Sequence, residues 1–330
     1  NRAAARTEMT APMTAPERKI NRSALPILHI GHLKTATTFL QNSIFSDPDF
    51  GFGLPGGQSN RSHLTETIIL NDSFDIDIES VARHFQSLEA EVAAQSLAPV
   101  WSSEGLIGDP TSRRYDRVQN LNRIRQIWKD ASILITIREQ TSMVMSLYNE
   151  YVHNGGRLPL REFIGERTEQ PGYTPILRES YLMFDEVVEW AQKHYGAENI
   201  YVLPIEELRI DPERYYLRLS DLAFNRAKKE RPSIASKPSP CECSIELNRI
   251  VNHLTAFNPR IPFHNSDAKK LISKTIRISD MLIPNKFHNK IRRINKSIVQ
   301  ERYRGIFSES NQRLKALTGL DLGRYGYEME

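Results

Sequence analysis

The sequence predicts an α/β fold: a parallel sheet of about five strands flanked by helices, with a helical C-terminal elaboration. Three observations lead there. Short runs at Ile27–Ile30, Ala98–Glu104 and Ile133–Ile137 are largely apolar without strict alternation, as in strands covered on both faces. Each run is followed, after a turn, by apolar residues at helical spacing. The composition, 39% hydrophobic and 25% charged over 330 residues, supports a sizeable core in an ordinary globular protein.

Taken in order, Asn1 to Arg22 is rich in Ala, Thr, Pro and charge without periodicity, and reads as a mobile tail. Residues 23–330 read as one domain, with its core over 25–210 and its helical part over 244–330. Pro26 and Gly31 bound the first strand. A tight turn, Gly31-His32-Leu33-Lys34, leads into a helix expected to start at Thr35, with Ala36, Phe39, Leu40 and Ile44 on one side. Pro48 stops it. The glycine-rich stretch Phe50–Gln58 is expected to be a loop, suited either to a substrate rim or to a plain connection. Val81, Phe85, Leu88 and Val92 mark an amphipathic helix.

The second strand candidate ends in Ser102-Ser103-Glu104, and Gly105 breaks it. Val118, Leu121, Ile124 and Trp128 give the next helix. The β-branched run Ile133–Ile137 then ends in Arg138. Thr141 or Ser142 is expected to cap a helix with Val144, Leu147, Tyr148, Tyr151 and Val152 on one side, terminated at Gly155-Gly156. Residues 229–243 form a polar, proline-punctuated linker, and Arg260 to Arg304 is dense in Lys and Arg. Most of those cations suit a solvated helix face. A minority could wall an acidic acceptor or a phosphate.

Several classes are excluded. A net charge of +4 implies no nucleic-acid partner. Cys241 and Cys243 are too close to bridge each other readily and too few for a zinc site, so no oxidising compartment is required. No run reaches the length of a membrane span, and no signal-peptide core is visible.

The chemistry concentrates in two blocks. Strand, tight turn and helix with Lys34 in the turn and threonines at 35, 37 and 38 make a phosphate cradle. Helix-start amides point outward there, the dipole is positive, and Lys34 adds a full charge. An ordinary strand–helix connection capped by threonines would look similar. The turn is too short, and its lysine too early, for the G-x-x-x-x-G-K-[ST] motif of nucleotide triphosphatases. In the second block, Arg138 stands at a strand end where such an enzyme would hold its metal-binding Asp, with Ser146 eight residues on. A guanidinium fork and a helical hydroxyl can hold a phosphate together. Between the blocks, Glu104 sits beyond a strand end, where open parallel sheets bind ligands. A salt-bridged structural carboxylate is the other reading.

Lys34-Thr35-Ala36-Thr37-Thr38 resembles the 5′-phosphosulfate loop of the sulfotransferases that use PAPS (3′-phosphoadenosine 5′-phosphosulfate). In that family the residue at position 36 is usually Gly. Arg138 with Ser146 resembles the family's 3′-phosphate site, and Ser103-Glu104 resembles the strand-end base of its carbohydrate-acting members. The resemblance covers residues 25–152 well. Beyond that, Ile200–Leu208 with Asp211-Pro212 looks like a late strand and its helix, and Phe307–Asn311 with Leu314, Leu317 and Tyr325 like a C-terminal helix. The Arg-Lys-Gly loop of the cytosolic branch is missing. Tyr303-Arg304-Gly305 echoes it only loosely, so the residues closing the 3′ site from the C-terminal side are not identified.

The resemblance implies a P-loop NTPase-like fold and metal-independent sulfuryl transfer from PAPS to a hydroxyl or amine, on a carbohydrate or glycolipid. It assigns Lys34 to charge stabilisation and Glu104 to proton removal. Gly31, His32, Lys34, Thr35, Ala36, Thr37, Thr38, Arg138 and Ser146 become the cofactor site. His32 and then His63 stand in reserve as bases. The implied setting is a cytoplasmic, bacterial-type enzyme, with the lumenal domain of a membrane-anchored enzyme as the alternative. Two other functions fit the residues less fully: an ATP-dependent kinase with a degenerate loop, and a nucleotide-binding module without activity.

Overall fold

A computed structural model of the chain describes residues 25–74, 76–165, 174–223, 242–255, 274 and 283–330. The expected tail, most of the linker and much of the basic stretch before 283 lie outside the described residues.

Among the described residues, five parallel strands form the sheet: β1 (Ile27–His29), β2 (Phe52–Gly53), β3 (Ala98–Ser102), β4 (Ser132–Ile137) and β5 (Ile200–Pro204), in the order β2-β3-β1-β4-β5. Both faces are covered. Leu28, Trp101, Ile133, Ile135 and Ile137 face one core, and Ile27, Val100, Leu134 and Leu203 face the other. The unbroken apolar runs follow from this double burial. Phe52–Gly53, read as loop, is instead the edge strand paired with Ala98–Pro99. Two residues are too few to show a period, so only the pairing reveals them.

Between the strands run α1 (Thr37–Leu40), which continues as a π turn through Phe45, and α2 (Asn60–Leu64), which continues likewise to Ile69. Then come α3 (Ile78–Ala93), α4 (Arg117–Ile127), α5 (Gln140–His153), α6 (Leu160–Ile164) and α7 (Phe184–Tyr195). After the sheet follow α8 (Ile205–Ile210), α9 (Pro212–Ser220), α10 (Glu242–Thr255), α11 (Asn285–Tyr303) and α12 (Ser308–Thr318). The last three return to the body: α10 and α11 pack on α5, and α12 packs on α7. Among the described residues no helix is long and apolar enough to cross a membrane.

Two local expectations are corrected. The first helix starts at Thr37, because Ala36 is left-handed (φ 62°, ψ 23°) and Lys34 also has positive φ (66°). The cap of α5 is Glu139, whose carboxylate accepts from the amides of Thr141 (2.7 Å) and Ser142 (2.8 Å); neither hydroxyl caps it. A carboxylate at a helix N-terminus accepts two amides at once and meets the dipole, and here that advantage outweighs the usual Ser/Thr preference.

The strand order decides where ligands can collect. The chain leaves β1 toward β2 at one edge, whereas it leaves β4 toward β5 at the other. The carboxyl ends of β1 and β4 therefore flank the switch point of the sheet, where open α/β folds bind ligands.

Candidate functional site

Lys34 follows β1 and Arg138 follows β4, so the two blocks singled out in the sequence meet at this switch point. Arg138 Nη1 donates to the carbonyl of Lys34 (3.2 Å), and its Nε donates to Ser142 Oγ (3.0 Å). Burial pushes the Arg138 pKa down, while Glu206 and Glu139 nearby act against that shift.

The loop from Gly31 to Thr37 is held from below by a buried polar network. His29 bonds Ser102 Oγ through Nδ1 (2.8 Å) and Thr136 Oγ1 through Nε2 (3.1 Å), linking three strands. Thr35 Oγ1 donates to the His32 carbonyl (2.5 Å) and lies 2.7 Å from Thr136 Oγ1. The Thr35 hydroxyl thus braces the loop. Gln41 adds bonds to the Ser102 carbonyl and hydroxyl, both 3.0 Å. The amide of Leu33 donates to Tyr181 Oη (3.2 Å). A side chain at Gly31 would press its Cβ into Thr136 Oγ1 and approach His29 Nε2 at 2.7 Å, which is why glycine stands there.

The remaining loop residues divide by what they face. His32 is fully buried, its ring edge-on to Tyr181 and Phe184, and its amide donates to the Thr136 carbonyl. Burial, with Arg117 adding to it, pulls its pKa down to about 3. His32 is thus a packing residue, and it could reach an acceptor only if the core opened. Thr37 is 5% exposed, and its hydroxyl has no hydrogen-bond partner; Thr38 is exposed. No side chain caps the start of α1, so its first amides stay open. Lys34 Nζ lies 3.3 Å from Glu150 Oε2, in a pair about one-third exposed on both sides (36% and 33%). So exposed a pair contributes little stability and yields the lysine cheaply.

Glu104 begins a 3₁₀ turn just past β3, after Ser103 accepts the Gly105 amide. Its Oε1 pairs with Arg61 Nη2 (2.8 Å), whereas its Oε2 is buried without a hydrogen-bond partner. The structural-carboxylate reading therefore holds for one oxygen only. His63, the second reserve base, stands edge-on to Trp101, His84 and Phe85.

On the other side of Arg138 opens a cavity of about 330 Å³ between α5 and α11, at the small end of ligand pockets. Arg138, Ser142 and Ser146 line one wall, and His288, Arg292 and Lys296 the other. The structure thus brings Arg138 and Ser146 together in one cavity. It adds Arg61, Glu150 and the α11 residues, which the sequence reading did not single out. Only α11 carried a signal: 288, 292 and 296 recur every four residues, one turn apart along a helix.

No family model and no curated protein matches the chain. A search of solved structures finds the crystal structure of a sulfotransferase from Alicyclobacillus acidocaldarius. It is superimposable with a TM-score of 0.51 over 93% of this chain and 100% of that one, at 16% identity. The chain therefore has the α/β fold seen in that sulfotransferase. At this identity the likeness speaks for the fold alone.

Proposed function

We propose that the chain is a PAPS-dependent sulfotransferase acting on a hydroxyl or amine, on a carbohydrate or glycolipid acceptor. One observation carries the reading. A single guanidinium, Arg138, joins the Lys34 loop to the Ser146 cavity. Two anion sites one arginine apart suit a nucleotide phosphorylated at both its 5′ and 3′ positions, and that double phosphorylation separates PAPS from ATP-like nucleotides. Thr37, Thr38 and the open amides of α1 would hold the 5′ phosphosulfate, and Arg138 with Ser146 the 3′ phosphate. The short turn and its early lysine, which depart from the nucleotide triphosphatase motif, favour this choice over a kinase.

In the transfer, the acceptor oxygen (or nitrogen) bonds to sulfur as the bond from sulfur to the bridging phosphate oxygen breaks. Lys34 meets the charge that develops on that departing oxygen. The acceptor proton passes to Glu104, whose Oε2 is without a partner while Arg61 holds Oε1. The transferred group carries less negative charge than a phosphoryl group, so the proposed reaction needs no metal.

Thermal denaturation with PAP (the desulfated product), ADP and ATP tests the reading. PAP at a hundredfold excess over Kd should stabilise the fold by about 2.7 kcal/mol. ADP should do much less, and EDTA should change nothing. Equal shifts from PAP and ADP would remove the 3′-site assignment, and magnesium-dependent ATP turnover would favour the kinase. An active enzyme is distinguished from a binding module by sulfuryl transfer from labelled PAPS to a panel of glycans.

A further inference from the structure

The cavity beside Arg138 has a second wall that the proposed function does not use. On α11, His288, Arg292 and Lys296 are spaced four residues apart, so their side chains follow one another along one stripe about 6 Å apart in rise. The same helix carries Lys290 and Arg293, which do not line the cavity. Its charge therefore divides into a cavity-facing stripe and an outer one.

His288 gives the stripe a built character. It is 6% exposed, its Nδ1 accepts the Cys243 amide (3.4 Å), and its Nε2 is buried without a hydrogen-bond partner. An imidazole accepting at Nδ1 carries its proton on Nε2, so this cavity-lining side chain holds a buried donor with no hydrogen-bond partner among the described residues. Arg292 and Lys296 are exposed, so neither is needed to fill the core. Opposite them stand the Arg138 guanidinium and the Ser146 hydroxyl. Two carboxylates also line the cavity. Glu139 is engaged with the Thr141 and Ser142 amides, and burial pushes the Glu242 pKa up despite Arg292 nearby.

We infer that the His288–Arg292–Lys296 face of α11 is the C-terminal half of the 3′-phosphate site, closing on a phosphate monoester dianion held by Arg138 and Ser146. The inference rests on the proposed use of a 3′-phosphorylated nucleotide. It places the role that a loop fills in the cytosolic sulfotransferases on a helix. It also makes α11 a determinant of nucleotide specificity.

Calorimetric titration of the full chain with PAP, AMP and inorganic phosphate tests it, since PAP and AMP differ only in the 3′ phosphate. The Arg292→Gln/Lys296→Gln double variant should lose roughly 10–100-fold in PAP affinity, with AMP affinity unchanged. A Lys290→Gln/Arg293→Gln control removes the same charge from the outer stripe and should leave both affinities within about twofold. Both variants change exposed side chains, and circular dichroism confirms that each is folded. If wild type prefers PAP over AMP and the α11 double variant keeps that preference, the inference is overturned while the proposed function stands. Equal losses from both double variants also overturn it, because general charge would then be the cause. If wild type binds PAP no better than AMP, both readings fall together. Inorganic phosphate binding to wild type that weakens like PAP in the cavity variant would support an anion site reading the phosphate alone.

Discussion

The loop after β1 and the cavity between α5 and α11 are both polar, yet they use their polar groups in opposite ways. In the loop, Thr35, His29, Thr136 and Ser102 satisfy one another; the open amides of α1, the Thr37 hydroxyl and the two ring nitrogens of buried His32 have no partner among the described residues, and the Lys34 ammonium meets Glu150 in an exposed pair. In the cavity, His288 Nε2 is left over, and the cations of α11 face Arg138 across open space. One region is a rigid frame with a few free groups at its rim, and the other is an assembly of groups from three distant segments. A frame holds reacting atoms in place, whereas an assembly reads the part of a ligand that identifies it.

The comparison breaks most sharply at the chemistry. Glu104→Gln is nearly isosteric, so fold and PAP binding should survive while transfer falls roughly 10²–10⁴-fold. Lys34→Ala should abolish transfer and also weaken PAP, because it removes a contact to the 5′ group. Calorimetry beside a labelled-PAPS assay separates the two. Near-normal transfer by Glu104→Gln would send the base role elsewhere, and His63 would follow, because His32 is buried.

Gly31→Ala tests the rigid frame. Its Cβ would press on Thr136 Oγ1 and stand 2.7 Å from His29 Nε2, so stability should fall by about 1–3 kcal/mol in urea denaturation, and PAP affinity should fall with it. An unchanged midpoint would mean that the network yields easily.

Acid should loosen the frame before the cavity. Burial holds His29 and His32 at pKa values of about 3, below their ordinary 6.5. The unfolded chain therefore binds protons that the folded chain refuses. Stability should fall as pH drops below 6.5, approaching ~1.4 kcal/mol per pH unit for each histidine, and should not change for this reason above it. Denaturation midpoints at pH 7.5, 6.5 and 5.5 check the sign, and His29→Gln should flatten its share of the slope.

Arg138 belongs to both regions. Arg138→Lys keeps the charge and loses the fork, so PAP affinity should fall roughly tenfold. The bond to the Lys34 carbonyl goes too, so the free protein should lose about 1 kcal/mol as well. A loss of several kcal/mol without ligand would make Arg138 mainly a structural residue.

The smallest effect concerns Ala36. A non-glycine residue at φ 62° carries strain of roughly 1–2 kcal/mol, partly offset by the freedom glycine has when unfolded. Ala36→Gly should therefore raise stability by about 0.5–1 kcal/mol with PAP binding intact. It would also restore the residue usual in the resembling loop. A lower midpoint would mean that the Ala36 methyl makes contacts worth more than the strain.

The strands β1, β3 and β4, the helices after them, and the two blocks around Lys34 and Arg138 are legible in the chain read residue by residue. Those features are written in contiguous residues, where apolar runs, turn residues and helical spacing act over short distances. Folding in three dimensions brought Arg138 to the Lys34 carbonyl, turned Thr35 inward to Thr136, and sank His32 between Tyr181 and Phe184. It also put Arg61 on Glu104 and laid the α11 stripe across from Ser146. Each of these joins residues from about 40 to 150 positions apart. Such contacts follow from strand order and helix packing, which no local pattern encodes, and so a basic helix face and a phosphate wall look alike until the fold brings the opposite wall to it.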